Sequence, residues 1–216
     1  MVTIDELTLA DEPATWEHLG FDVSDRCVAL GRVRIRLAGT QAGSGILGWS
    51  LRGVSGTQLD GLATSASESP PREAAEAHPN GVLAIDHVVA FSPDFERSVR
   101  VLSAAGLELR RVREEPTPAG APRQAFFRLG EEILELIEVP EDMLERAGGR
   151  EGPARFWGLA LTVSDLDTAV QRVGTDAGEI RAAVQPGRRI ATLRRSAGLA
   201  VPVALMSAAL GDGAAR

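Results

Sequence analysis

The sequence predicts an α+β fold of tandem βαβββ modules, and three observations predict it. A short pattern recurs, since Ile4-Asp5-Glu6-Leu7, Ile85-Asp86-His87-Val88 and Phe156-Trp157-Gly158-Leu159 each open a run of strand character. Each opening leads through a proline or serine into a helical stretch closed by glycine: Pro13 to Gly20, Pro93 to Gly106, Ser164 to Gly174. Two or three further strand-like runs follow in every unit, the mark of a module repeated in tandem. Such modules form cupped sheets, and any chemistry is expected in the cup.

In the first unit, residues 3–9 read as a strand. Asp11 with Pro13 makes a helix start, and Gly20 a stop. Residues 26–30 and 32–37 follow as strands. Alternation of Val33, Ile35 and Leu37 with Arg32, Arg34 and Arg36 predicts one buried and one solvated basic face. Residues 46–54 supply the last strand. Over 57–81 the composition shifts to Ser, Ala, Glu and Pro, with too few large apolar residues to repay the entropy of ordering, so a linker is expected.

The second unit reads as a strand at 83–91, an N-cap at Ser92-Pro93, a helix presenting Phe95, Val99 and Leu102, and strands at 109–113, 124–129 and 133–139. The third repeats it, with a strand at 156–163, a helix capped by Ser164 with Asp167 three places on, and strands at 180–184, 190–194 and 201–206. Residues 208–216 are small and polar and are expected to be disordered.

Composition excludes several function classes. Net charge is -7 with no basic tract, which argues against nucleic acid as partner. All 23 basic residues are arginine and tyrosine is absent, so lysine Schiff-base chemistry and tyrosine acid catalysis are ruled out. Cys27 is the single cysteine, which excludes an internal disulfide and fits a reducing cytoplasm. No apolar run is long enough to cross a bilayer, and no secretory leader is visible. A cytoplasmic protein with no membrane partner is expected.

Residues 82–207 resemble the glyoxalase/bleomycin-resistance family, also called the vicinal oxygen chelate superfamily, and within it the glyoxalase-like domains. The resemblance rests on Ile85-Asp86-His87-Val88-Val89, on Leu134-Glu135-Leu136, and on Phe156-Trp157-Gly158-Leu159 followed by Val163-Ser164-Asp165-Leu166. It implies that two βαβββ modules pair into a barrel-like cup over 82–207, with a diverged copy at 1–56, a linker at 57–81 and a tail at 208–216. It also implies four metal-ligand positions, one on the first and one on the last strand of each module. These fall on His87, Glu135, Gly158 and Ala204, two of which cannot bind a metal. Glu6 occupies the histidine position of the first unit, and a pairing of the first two units would gather Glu6, His87 and Glu135.

From alternation, His87 shares a face with Ile85 and Val89, and Glu135 with Ile133 and Ile137. The pair is open to three readings: a metal pair completed by water or ligand, a metal-free general base, or two polar groups satisfying one another. Arg123 and Arg189, beside the loops at the mouth, are expected to take an anion, with Gln124 next to Arg123 as a further ligand contact. Trp157 is expected to pack in the core.

Two functions follow. The first is a binding protein for a small anionic or carbonyl-bearing organic molecule, with no cofactor. The second is a metal-dependent lyase, isomerase or dioxygenase using His87 and Glu135 with one divalent metal. An odd number of modules would leave the first sheet unpartnered, so either residues 1–56 pack onto the outside of the 82–207 cup or two first units complete one another in a homodimer, the second being preferred.

Overall fold

The computed structural model describes residues 1–117, 120–146 and 148–208. Two sheets carry the chain. The larger runs β12-β13-β14-β11-β7-β10-β9-β8 and comprises β7 (Val82–Ser92), β8 (Glu108–Arg113), β9 (Gln124–Leu129), β10 (Glu132–Glu138), β11 (Arg155–Val163), β12 (Arg181–Ala182), β13 (Arg189–Thr192) and β14 (Val203–Ser207). Its two modules meet where β7 and β11 pair antiparallel, and in each the last strand lies parallel to the first. The edge strands β8 and β12 do not pair with one another, so the cup is an open curved sheet and not a closed barrel.

Helix α2 (Phe95–Ala104) starts at Asp94, whose side chain accepts from the Arg97 amide at 3.0 Å, and α3 (Leu166–Val173) starts at Asp165, which accepts from the Thr168 amide at 2.7 Å. The caps expected at Ser92 and Ser164 are therefore displaced. Ser92 ends β7 with its hydroxyl on Ser98, and Ser164 reaches the Gly81 carbonyl. An aspartate next to the first turn outcompetes them because its charge also suits the helix N-terminus.

The smaller sheet, in the order β2-β3-β1-β4-β6-β5, is built from β1 (Thr3–Leu9), β2 (Cys27–Leu30), β3 (Val33–Leu37), β4 (Ile46–Arg52), β5 (Gln58–Leu59) and β6 (Leu62–Ser67), with α1 (Pro13–His18) after β1. It repeats the plan of the larger sheet in miniature. β3 lies parallel to β1 as β10 does to β7; β4 lies antiparallel to β1 as β11 does to β7; and β6 lies parallel to β4 as β14 does to β11. β4 is therefore not the last strand of the first unit but the first strand of a helix-less fourth one.

Its Ile46-Leu47-Gly48-Trp49 is a fourth copy of the opening pattern. Each copy carries a β-bulge at its second residue, namely Asp5, Leu47, Asp86 and Trp157. The sheet is completed inside the chain, which removes the reason for expecting a second copy to complete it.

The stretch expected as a linker at 57–81 thus contains two strands. Asp60-Gly61 turns β5 into β6, with Asp60 at φ +50°. The Asp60 carboxylate accepts from Arg97 Nε at 2.8 Å and from Ser98 of α2, and its carbonyl accepts the Ala154 amide at 2.7 Å. Beyond β6 the chain is tethered along the smaller sheet. Arg72 donates to Asp5, and buried His78 accepts the Asp22 amide at Nδ1 and meets the Ala29 carbonyl at 2.8 Å.

One hydrophobic cluster joins the apolar faces of both sheets, with Leu7, Ile35 and Trp16 from the first half and Val88, Leu134 and Leu161 from the second. Val33, Ile35 and Leu37 are buried and their arginine neighbours are not, as alternation requires. The tail from residue 209 lies outside the described residues.

Candidate functional site

The bulge in β7 shapes the site. Asp86 is the extra residue opposite the Ala160–Leu161 step of β11, and a bulge re-aims the side chains beside it. His87 lines the cup, and Asp86 is hydrogen-bonded beside it. Ile85, which simple alternation places with His87, lies 3% exposed in the core. Glu135 keeps the expected face, and the cup holds both members of the pair.

His87 is gripped from two sides. Its Nδ1 lies 2.8 Å from Asp86 Oδ1, and its Nε2 lies 3.2 Å from Glu135 Oε2. Thr162 Oγ1 donates to Asp86 Oδ2 at 3.1 Å, and Arg188 donates to the same oxygen. Burial alone would raise the Asp86 carboxyl. Hydrogen bonds from His87 and Arg188, with their charges, outweigh it and hold the group well below the usual carboxylate range. An ionised Asp86 keeps a proton on Nδ1 and sets the imidazole plane. Glu135 moves the other way: burial pushes its carboxyl up, against the opposing pull of His87 and of the amide donated by Gln124 Nε2.

A cavity of about 880 Å³ opens over this pair. His87, Glu135, Gln124, Phe126 and Met206 line it from the central strands, and Arg111, Arg113 and Arg181 from the two edges. Arg111 stacks over the Phe126 ring at 5.0 Å. Among the described residues none of these three arginines forms an ion pair, unlike Arg123, Arg188 and Arg189.

Arg123 and Arg189 do not reach the cup. Gln124 and Ile190 face the cavity, so their neighbours face the helices. Arg123 holds Glu138 at 2.9 Å and Glu96 at 2.7 Å while lying over Phe95, and Arg189 holds Asp167 at 2.5 Å. Glu6 lies in the other sheet, held by Arg34 and by Arg36 at 2.8 Å, and is not brought to His87. Trp157, the bulged residue of β11, is 47% exposed and meets Phe91 edge-on at 5.6 Å, so it is not a core residue.

Sequence reasoning missed Asp86, Arg111, Arg113 and Arg181. Asp86 carried a signal, because the same acid recurs at Asp5 in the same pattern. Arg111 and Arg113 alternate on a strand, but which of two faces they take was not readable.

The residues present do not fit a divalent metal held as the superfamily's four-position pattern implies. A Cβ built on Gly158 would lie 2.5 Å from the Pro202 carbonyl oxygen, so no ligand side chain can be accommodated there without moving β14. Ala204 offers no donor. Among the described residues no group of three His, Cys, Asp or Glu side chains converges as a metal cluster would.

A model of the Glyoxalase/Bleomycin resistance protein/Dioxygenase superfamily matches residues 84–199. The chain belongs to that superfamily. No curated protein sequence matches it. Among solved structures, methylmalonyl-CoA epimerase from Mycobacterium tuberculosis is 20% identical over 62% of this chain and 92% of its own, with a TM-score of 0.48. A Streptomyces coelicolor methylmalonyl-CoA epimerase in complex with 2-nitronate-propionyl-CoA is 23% identical over 59% of this chain and 99% of its own, with a TM-score of 0.47. A xylose isomerase-like TIM barrel/4-hydroxyphenylpyruvate dioxygenase fusion protein matches 99% of this chain and half of its own length at 13% identity, with a TM-score of 0.57. That last likeness shows that the fold extends through the smaller sheet. No helix among the described residues is long and apolar enough to cross a membrane.

Proposed function

We propose that the cup of the larger sheet binds a small organic anion without a metal ion. One observation carries the reading: three arginines without carboxylate partners among the described residues border a cavity of about 880 Å³ whose floor is the His87–Glu135 pair. Guanidinium groups facing a partly apolar cavity suit carboxylate capture, since the anion supplies the charge that they lack. Phe126, Ile190 and Met206 offer apolar surface to the remainder of the ligand.

The competing reading is a metal-dependent lyase, isomerase or dioxygenase. It draws on the 3.2 Å approach of His87 Nε2 to Glu135 Oε2 within one cavity. Metal analysis of the purified protein, with calorimetric titration of phenylacetate, separates the two. Anion binding at sub-stoichiometric metal is the expected result. One divalent ion per chain that is lost in both His87→Ala and Glu135→Ala overturns it in favour of the metal enzyme.

A further inference from the structure

The two modules of the larger sheet carry matching ladders of side chains across the cup. In one, Arg111 of β8 stands opposite Phe126 of β9, and Phe126 stands opposite Glu135 of β10. In the other, Arg181 of β12 stands opposite Ile190 of β13, and Ile190 stands opposite Met206 of β14. Directly opposed residues share a face of the sheet, and all six line the cavity. β8 and β12 are the equivalent strands of their modules, and both are edges of the sheet. Each ladder therefore ends in an arginine at one lip of the cup.

Charge is divided between the lips in the same way. The β8 lip sets Arg111 and Arg113 against Glu115, which leaves one positive charge in excess, and the β12 lip holds Arg181. Glu135 on the floor between them is answered by His87 at 3.2 Å. Phe126, Ile190 and Met206 put apolar surface between the two positive ends. A cavity that is basic at both ends and apolar between them complements a molecule of the reverse pattern. We propose that the cup takes a dicarboxylate lengthwise, with one carboxylate on Arg111 and Arg113 and the other on Arg181 across the mouth. The inference rests on the anion reading above and adds a second charge and its position.

A monoacid can satisfy one lip only. Once the first carboxylate of a diacid is held, capture of the second is intramolecular, so it adds affinity without a second loss of free motion.

The test titrates acids of one frame into the full chain by calorimetry: phenylacetate, para-phenylenediacetate and ortho-phenylenediacetate. The para diacid should bind about tenfold tighter than phenylacetate, the return from one further charge-assisted contact. The ortho isomer carries the same charge but turns both carboxylates to one side, so it should stay within about twofold of phenylacetate. Aliphatic diacids from glutarate to azelate, each against the monoacid of equal length, cover other spans. In Arg181→Ala the diacid advantage should vanish. In Arg181→Glu the preference should invert toward para-(aminomethyl)phenylacetate, a gain that only a folded cup can show. Diacids no tighter than monoacids at every length overturn the inference and leave the anion reading standing. Equal binding of the ortho and para isomers, or a diacid advantage that survives Arg181→Ala, overturns it in favour of a general field of arginines. A preference that does not invert in Arg181→Glu overturns the role of Arg181. Failure of monoacids and diacids alike to bind strikes the anion reading itself.

Discussion

In the smaller sheet Glu6 stands where His87 stands in the larger, and Arg36 stands where Glu135 stands. The registers make these positions equivalent: Thr8 opposes Arg36 as Val89 opposes Glu135. One backbone plan thus carries two inward pairs of unlike chemistry. Glu6 is saturated by Arg34 and Arg36 at an open, hydroxyl-lined hollow of about 360 Å³. The His87–Glu135 pair lies under a larger cavity with arginines to spare. A sheet whose inner charges neutralise one another has little left to offer a ligand, whereas the other borders its cavity with arginines that form no ion pair among the described residues.

The bulged acids sharpen that contrast most. Asp5 is held by Arg52, Arg72 and Ser67, as Asp86 is by Arg188, Thr162 and His87. Removing one member of a buried ion pair strands the other, so Asp5→Ala and Asp86→Ala should each cost roughly 3 kcal/mol in urea unfolding. Only Asp86→Ala should also weaken phenylacetate binding, since it frees the imidazole. A matching loss of affinity in Asp5→Ala would break the division between a structural and a binding sheet.

Much of this arrangement was legible beforehand, and the failures have physical causes. The opening pattern located β1, β7 and β11 because it is a local signal, an acid or aromatic at a bulge followed by core residues. Its fourth copy went unread because residues 46–54, with no helix after them, read as the last strand of the first unit rather than as the start of another. The Asp60-Gly61 turn between Leu59 and Leu62 was a hairpin signal. It was overridden by a low apolar content that suits a small sheet with one polar face. Arg123 and Arg189 failed for the opposite reason: alternation fixes which neighbours share a face but not which face is the cup.

Gly48 and Gly158 occupy equivalent positions, and both are crowded by the neighbouring last strand. A Cβ would lie 2.8 Å from the Ala63 carbonyl oxygen at the first and 2.5 Å from that of Pro202 at the second. Gly158→Ala should therefore cost about 2 kcal/mol and Gly48→Ala somewhat less, by thermal melting. Gly158→His, which restores the imidazole of the implied metal pattern, should destabilise at least as much and gain no stoichiometric zinc. A stable Gly158→His chain holding one zinc would show that the cup retains its metal geometry.

The joint between the sheets gives a pH test. Glu132 is 4% exposed on the core face of β10, and burial, with the adjacent Glu131 charge adding to it, pushes its carboxyl up to about 7 against the pull of Arg32 and Arg52 from the smaller sheet. The unfolded chain releases this proton near 4.5 and the folded chain near 7. The folded state binds it more tightly, so this stabilising contribution is full below pH 4.5 and is lost as pH rises through 7. Glu132→Gln should remove that slope and raise stability at pH 8 by roughly 2 kcal/mol. An unchanged slope would place the pH dependence elsewhere.

The smallest effect separates the two faces of the larger sheet itself. Arg189 pairs with Asp167 of α3 at the surface, where salt and side-chain entropy cancel most of an ion pair's gain. Arg113 borders the cavity across from Gln124. Arg189→Ala should leave both the melting temperature and phenylacetate affinity unchanged within error. Arg113→Ala should leave stability alone but weaken the acid about tenfold, the usual consequence of removing one charged hydrogen bond to a carboxylate. The two substitutions delete the same side chain from the same sheet, so a difference in affinity between them measures the cup face and nothing else. Equal affinity loss in both would mean that the anion is held by the general field of the arginines, and the cup would lose its claim to be the binding site.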